Sequence, residues 1–225
     1  MNGYWLDLGL VRYGPAFAIQ EQLLAARIAG QLPPTVILQE NPPTFTIGRS
    51  GSVDNVLVSP AELQARGIEL IQVNRGGDVT YHGPGQLIAS PLLYLGDIGL
   101  NANQYMNRLE DVLIGVLAEF GLQAHRRDEY PGAWLGEFKI GAVGVGVRHG
   151  YCFHGVSLNV DLDLSPFQLI NPCGVAAMPV TSMRKALASS ISMSQVRTVL
   201  RHALEATFEL ELREITLDDI REVSG

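Results

Sequence analysis

The chain has 225 residues, enough for one large domain or two small ones with a substantial core. Its 47% hydrophobic and 17% charged residues are typical of a compact globular protein. The net charge of −7 argues against nucleic-acid binding, because displacing counterions from phosphates requires a basic surface. No apolar run approaches the ~18 residues of a membrane span, and the first residues do not resemble a signal peptide. We therefore expect a soluble cytoplasmic protein that binds neither nucleic acid nor membranes.

The first 67 residues predict three strands and two helices. Strands are expected over 4–10, 35–40 and 44–49, and the first helix over 15–30. Asn41-Pro42-Pro43 separates the second and third strands and predicts a hairpin between them. Ser59 to Glu62 has the form of a capping box that begins a second, short helix, which Gly67 is placed to end.

Residues 75–87, RGGDVTYHGPGQL, combine four glycines with an arginine and a histidine. The apolar runs 68–73 and 86–95 flank this segment and predict two strands joined by it. Glycine lets a ligand approach the main chain closely, so the segment is interpreted as a binding loop. A tight hairpin is the alternative, but it would not require Arg75, Thr80 or His82.

The second half predicts an apolar-striped helix over 103–120 and paired strands over 137–148 and 153–162, joined through His149-Gly150. An irregular stretch over 165–178 precedes a long helix capped by Ser192 and a strand over 209–215. No repeat or linker divides the chain. Paired strands between isolated helices predict a single α+β domain over 1–225 with a mixed, largely antiparallel sheet.

Two residues are candidates for chemistry. Cys173 lies in a loop beside Gly174, where a thiol is accessible, whereas Cys152 lies between aromatic residues and is interpreted as a small buried hydrophobe. Lys139 and Lys185 are the lysines among 16 basic residues. A lysine in apolar surroundings shifts towards its neutral form and can accept a thiol proton. Lys139 fits this role because its apolar neighbours Phe138 and Ile140 are expected to desolvate it. A structural Cys173 and a solvent-facing lysine on an edge strand stay open as alternatives.

Metal and nucleotide sites are not favoured. His149, Cys152 and His154 resemble a zinc cluster, but they cross a predicted turn, and alternation puts only Cys152 and His154 on one face. His154 is interpreted as a core histidine or one that supports the site. The chain has no P-loop and no G-x-G-x-x-G spacing, so no metal or cofactor is expected.

Four blocks occur in one order: RGGDVTYHGPGQL, FKIGAVGVGVR (138–148), FHGVSLNV (153–160), and NPCGV (171–175) followed by VTSM (180–183). With these intervals the chain resembles the lipoyl(octanoyl) transferases, over about 4–208. The resemblance implies the fold of lipoate and biotin protein ligases. It also implies an acyltransferase that moves an octanoyl group from acyl carrier protein to a lysine of a lipoyl domain of a 2-oxoacid dehydrogenase complex or of glycine-cleavage H protein.

The resemblance also implies roles for individual residues. Cys173 matches the nucleophile that accepts the acyl group and Lys139 its acid/base partner; oxyanion donors are expected near Gly77 and Gly174. The enzyme is expected to act as a monomer without ATP. The residues that match the acyl pocket are Arg75, Gly76, Gly77, Asp78, Val79, Thr80, Tyr81, His82, Ala142, Val143, Gly144, Gly155, Val156 and Ser157.

Two other functions share part of this pattern. An ATP-dependent lipoate ligase would have the same fold but no use for the Cys173 thiol, and a non-catalytic protein that binds acyl carriers would keep the pocket with an inert thiol. Because carrier proteins and lipoyl domains are usually acidic, a basic rim is expected to offset the negative net charge. Its candidates are Arg49, Arg126, Arg127, Arg148 and Arg184.

Overall fold

The computed structural model describes residues 1–223, apart from the side chains of Cys173 and of residues 221–223. The strands are β1 (Asn2–Leu10), β2 (Thr35–Glu40), β3 (Thr44–Ile47), β4 (Glu69–Gln72), β5 (Val79–His82), β6 (Gln86–Leu92), β7 (Gly132–Leu135), β8 (Phe138–Arg148), β9 (Tyr151–Asn159) and β10 (Glu211–Ile215). The helices are α1 (Tyr13–Ile28), α2 (Pro60–Ala65), α3 (Ala102–Glu119), α4 (Met183–Leu187), α5 (Met193–Phe208) and α6 (Leu217–Val223). Among the described residues, no helix combines the length and the apolar character needed to cross a membrane.

The strands form two sheets. The large sheet has seven strands in the order β10-β1-β2-β6-β9-β8-β7, and the small sheet has three in the order β4-β3-β5. In the large sheet β1 is parallel to β10 and β2, and the other pairs are antiparallel. The predicted α+β class with a mixed, largely antiparallel sheet is confirmed.

Local signals predicted several elements well. Ser59 and Glu62 form the reciprocal capping box at the start of α2, and the Ser192 side chain accepts the N–H of Gln195 at the start of α5. His149 and Gly150 have φ angles of 51° and 81°, which suit the tight turn between β8 and β9.

The predicted hairpin across Pro42 and Pro43 is wrong. β2 pairs with β1 and β6 in the large sheet, whereas β3 pairs with β4 and β5 in the small one. The chain therefore leaves one sheet for the other at the two prolines, which have no N–H to donate to a ladder. The flanks of 75–87 are likewise separated: β4 lies in the small sheet and β6 in the large one, and the segment itself contains β5.

The two faces of the large sheet have different partners. Leu38, Leu87, Ala89 and Leu158 face α3 and α5, and all are buried in the largest apolar cluster. On the opposite face, Ile37 and Leu92 pack against Leu23 and Leu24 of α1. The small sheet forms a separate core with the turn Ser165–Leu169. Between α1 and the small sheet, this second face of the large sheet lines a cavity.

Candidate active site

The floor of the cavity is a row of side chains that crosses four strands. Gln39 of β2 lies opposite Ile88 of β6, Ile88 lies opposite Ser157 of β9, and Ser157 lies opposite Ala142 of β8. Since strand side chains alternate between faces, this row points away from the α3 side of the sheet. The cavity thus has a mixed floor of polar, small and apolar groups.

Residues 75–78 cover this floor as a loop tied to both sheets. Gly76 N–H donates to the Val145 carbonyl of β8 at 2.8 Å, and Arg49 N–H donates to the Arg75 carbonyl at 2.9 Å. Gly77 has a φ of 81°, a conformation that favours glycine. The Arg75 guanidinium donates to the carbonyl and the hydroxyl of Thr46, each at 2.8 Å, so the loop is anchored to β3.

The cavity has a volume of about 110 Å³. This is comparable with the ~150 Å³ of an engineered protein cavity that binds benzene, so an apolar group of several carbons fits. Lys139 lines it, as do thirteen of the fourteen residues predicted for the acyl pocket. The exception is Tyr81, which packs between Phe45 and Phe167 in the core of the small sheet. Substrate binding by the thirteen stays a prediction.

Sequence reasoning missed the contribution of α1. Tyr13, Phe17 and Gln20 of this helix line the cavity together with Gln39 and Ser90 of the large sheet. Gln20 is only 5% exposed, and a buried glutamine on the apolar face of a helix is unusual. Its position on the apolar face was the signal in the sequence that could have pointed to this helix as part of the site.

His82 is a buried, neutral member of the site. Its Nδ1 lies 2.7 Å from Gln86 Oε1 and its Nε2 lies 3.2 Å from Thr46 Oγ1. Burial lowers the pKa of His82 to about 4, although the hydrogen bond to Gln86 opposes this shift. Gln86 in turn donates to Asn159 Oδ1 at 2.8 Å, and Asn159 donates to the Thr181 carbonyl at 3.0 Å.

His154 breaks the expected strand alternation. Alternation predicts that it shares the α3 face with Cys152, but its φ of 55° departs from strand geometry, and its ring stacks on Phe17 of α1. Its N–H donates to Gln20 Oε1 at 2.7 Å, and its Nε2 lies 2.8 Å from Asn74 Oδ1. Burial lowers the pKa of His154 to about 3, so this histidine is neutral.

The separation of His154 from Cys152 removes the geometric basis for the zinc cluster. Cys152 is fully buried on the α3 side, as predicted, and burial raises the pKa of its thiol to about 12. Within the described part of the chain, no group of three or more His, Cys, Asp or Glu residues could hold a metal ion.

Lys139 is held by its backbone against the segment that follows Cys173. Its N–H donates to the Pro179 carbonyl and its carbonyl accepts the Thr181 N–H, both at 2.9 Å. β8 lies between β9 and β7, so Lys139 is not on an edge strand, and its side chain is half-buried.

The partners of the Lys139 side chain lie on β7. Its Nζ lies 5.5 Å from the centroid of the Trp134 ring. The expectation that Phe138 and Ile140 desolvate Lys139 is wrong: Phe138 is 47% exposed, and neighbours along a strand point to the opposite face. Trp134 covers the lysine instead.

Cys173 lies in the turn Pro172–Gly174, and its predicted role as nucleophile depends on a side chain outside the described residues. Asn171 N–H donates to the Asn55 carbonyl at 2.8 Å and fixes the start of the turn. Gly174, with a φ of 70°, donates its N–H to the Asn171 carbonyl, so this group is already engaged within the turn. Pro172 lines the cavity, as Lys139 does.

Four of the five arginines predicted for a basic rim are neutralised by carboxylates. Arg126 pairs with Glu110 and Asp111, Arg127 with Glu137, Arg148 with Glu21, and Arg184 with Asp161. Arg49 is exposed, and its charge acts on His154 in the cavity. Arg49 is therefore the strongest of the five candidates for the basic rim, which stays a prediction.

Comparison with known proteins places these features in a family. The family model for the lipoyl protein ligase A/B catalytic domain matches residues 12–205. The chain is 46% identical over 191 residues to an octanoyltransferase of Geobacter metallireducens, with 85% of this chain and 86% of the relative covered. It is 39% identical over 219 residues to an octanoyltransferase of Syntrophobacter fumaroxidans, with 97% and 96% covered.

Solved structures support the fold. A bipartite lipoate protein ligase from Thermoplasma acidophilum superposes with a TM-score of 0.79 at 18% identity, covering 100% of this chain and 91% of that one. The biotin protein ligase from Aquifex aeolicus superposes with a TM-score of 0.54 at 13% identity, covering 93% and 69%. At these identities the likeness concerns the fold alone.

Proposed function

Because the chain belongs to the lipoyl protein ligase A/B catalytic domain family and, within it, to the octanoyltransferases, we propose that it transfers an octanoyl group from acyl carrier protein to a lysine of a lipoyl domain or of glycine-cleavage H protein. The acyl group passes through a thioester on Cys173, with Lys139 as the acid and base. The reaction uses neither ATP nor a metal.

One observation carries this proposal: Lys139 and the turn that contains Cys173 border the same cavity. Both backbone groups of Lys139, its N–H and its carbonyl, are bonded to 179–181, only a few residues after that turn. Pro172, directly before Cys173, lines the cavity with Lys139. A cysteine in this turn and a lysine beside it would supply the thiol and the amine that covalent acyl transfer requires.

In the first half of the reaction, the Cys173 thiol gives its proton to Lys139 Nζ and the thiolate attacks the carbonyl carbon of the carrier thioester. A C–S bond to Cys173 forms while the C–S bond to the carrier breaks, and Lys139 returns the proton to the departing carrier thiolate. One thioester replaces another, so no external energy source is needed.

In the second half, Lys139 accepts a proton from the amine of the acceptor lysine as this amine attacks the Cys173 thioester. An amide C–N bond forms, the C–S bond breaks, and the proton passes to the Cys173 thiolate, which restores the starting state. The oxyanion that develops in each half needs hydrogen-bond donors. The loop N–H of Gly77 is the candidate, since those of Gly76 and Gly174 are engaged.

The cavity suits the acyl chain. Val79, Ile88, Val143, Val156 and Met178 supply apolar lining along it. The neutral forms of His82 and His154 add no charge to this lining. A saturated chain that lies along this apolar lining therefore does not have to desolvate a histidine cation.

The test is the intact mass of the enzyme after incubation with octanoyl-acyl carrier protein, without acceptor and without ATP. We expect one added octanoyl group that hydroxylamine removes. Cys173→Ala should not be labelled, whereas the matched control Cys152→Ala should be labelled as the wild type. Labelling that persists in Cys173→Ala, or that requires octanoic acid and ATP as in a ligase, would contradict the proposal.

A further inference from the structure

A carboxylate behind the cavity faces the strand that holds Lys139. Glu110 lies in the middle of α3 and is only 5% exposed, although ionisable side chains are rarely so buried unless paired. Its Oε1 accepts the N–H of Gly132, the first residue of β7, at 2.8 Å. Its Oε2 lies 3.1 Å from Arg126 Nε.

Gly132 is in close contact with the Lys139 side chain. A Cβ built on Gly132 would lie 3.0 Å from Lys139 Cε and 2.2 Å from the Gly141 carbonyl oxygen, so only glycine fits there. Trp134, two residues further along β7, covers Lys139 Nζ. The hydrogen bond from Gly132 to Glu110 therefore fixes the strand against which the lysine packs.

We propose that Glu110 is a positioning residue for Lys139: it holds β7 against the lysine stem and places a buried negative charge behind its ammonium group. The inference rests on the proposed function, in which Lys139 gains a proton each time a thiol or an amine loses one. A nearby carboxylate stabilises that charged form and so favours the proton transfer that starts each half-reaction.

The electrostatic coupling agrees with this geometry. Burial raises the pKa of Glu110, and the Gly132 N–H, Arg126 and Lys139 oppose the shift. Coupling of two charges is mutual, so the Glu110 charge must also favour the protonated form of Lys139. Arg126, which shares the Glu110 carboxylate, opposes this effect.

Few other charges face the pair within the described residues. α5 packs on α3 through apolar side chains, and the segment 179–181 beside Lys139 has no charged residue. Arg127 lies over the Trp134 ring at 4.5 Å and is paired with Glu137. Besides Glu110 and Lys139, the charged groups to be considered are therefore Asp111, Arg126, Arg127 and Glu137, together with Arg75 and Asp78 in the same cavity as Lys139.

The low lysine content allows a direct measurement. With lysine labelled with ¹³C at Cε, the folded enzyme gives two signals, from Lys139 and Lys185, and Lys185→Arg assigns them. Glu110→Gln keeps the shape and the acceptor for Gly132 but removes the charge. We expect the titration midpoint of Lys139 to fall by about 0.5 to 1 pH unit. The pH profile of acyl-enzyme formation should move in the same direction.

The matched control is Asp111→Asn, which removes a more exposed carboxylate that also contacts Arg126. It should move the Lys139 midpoint by less than half as much as Glu110→Gln. An equal effect of the two variants, or none for Glu110→Gln, would overturn the proposal. If Glu110→Gln does not fold, Arg126→Gln takes its place and must raise the titration midpoint of Lys139. An unchanged or lower midpoint in Arg126→Gln refutes the proposal. The titration needs no turnover, so it tests the role of Glu110 even if Cys173 is never acylated.

Discussion

Gly132→Ala tests the packing of β7 against Lys139. Gly132 has a φ of 143°, which L side chains rarely adopt, and the added Cβ would lie 2.2 Å from the Gly141 carbonyl oxygen. Backbone cannot yield as a flexible side chain does, so β7 must move away from β8. This movement would break the bond from Gly132 to Glu110 and release the Lys139 side chain.

The structure sets the expected magnitude. A residue held in a disfavoured backbone region costs ~1–3 kcal/mol, and a lost hydrogen bond to a charged group costs ~1.5–3 kcal/mol. Gly132→Ala should therefore lower the free energy of unfolding by roughly 3–5 kcal/mol, a large part of the ~5–15 kcal/mol typical of a domain. A displacement of Lys139 by about 1 Å should in addition lower kcat/KM by ~10²-fold.

The assay combines urea unfolding with octanoyl transfer at a temperature where the variant is folded. Gly136→Ala is the matched control, because Gly136 lies in the turn between β7 and β8 with a φ of 55° but has no atom within 4 Å of an added Cβ. It should cost about 1 kcal/mol and keep wild-type turnover. If Gly132→Ala is as stable and as active as Gly136→Ala, the packing argument is refuted.

Three further predictions concern charge. Lys139→Arg keeps the charge but cannot accept a proton, so its kcat/KM should fall as that of Lys139→Ala does, by ~10²-fold or more. Retention of over a tenth of the wild-type kcat/KM would indicate a charge-only role for Lys139. His82 and His154 have folded-state pKa values of about 4 and about 3, below the unfolded value of ~6.5, so protonation favours unfolding. Urea unfolding should show a stability that is constant well above pH ~6.5 and lower by roughly 4 kcal/mol at pH 5, about 2 kcal/mol for each histidine. The loss should be smaller in His154→Gln, and a pH-independent stability would contradict this reasoning. Arg49→Glu should raise KM for the carrier and weaken the salt dependence of this KM, but leave the turnover of a small octanoyl thioester unaffected. The control Arg213→Glu, on the exposed edge strand β10, should change neither the KM for the carrier nor its salt dependence. An equal loss with both donors would show a structural role for Arg49.

The parts of the fold that sequence predicts are those fixed by local chemistry. Caps at Ser59 and Ser192 define helix starts because the side chains satisfy N–H groups within three residues. The turn at His149-Gly150 defines a hairpin for a similarly local reason. The passage of the chain from the large sheet to the small sheet at Pro42-Pro43 is not predictable in this way. It depends on the pairing of β3 with β4 and β5, which lie further along the chain.

The candidate site likewise combines features that the sequence predicts with features that depend on tertiary contacts. The family resemblance points to thirteen residues that line the cavity, but it says nothing of Tyr13, Phe17 and Gln20, which α1 brings there through tertiary packing. His154 shows a different limit. Periodicity assigns it to the α3 face, and the φ of 55° that places its ring against α1 leaves no trace in the pattern of apolar residues. The single-domain and monomer predictions remain predictions.

The strand β8 explains how a loop-rich site can be rigid. Its first half holds Lys139 through backbone bonds to 179–181, its centre supplies Ala142 and Gly144 to the cavity, and its Val145 carbonyl anchors Gly76 of the covering loop. From Lys139 to Val145 the strand rises by roughly 20 Å. Lys139 and the loop that covers the cavity are thus both anchored to one strand, which pairs with β7 and β9. A shift of this loop or of the segment 179–181 is therefore resisted by the sheet. For this reason we expect Glu110 and Gly132, which fix the edge strand β7, to influence the proposed catalysis without contacting substrate.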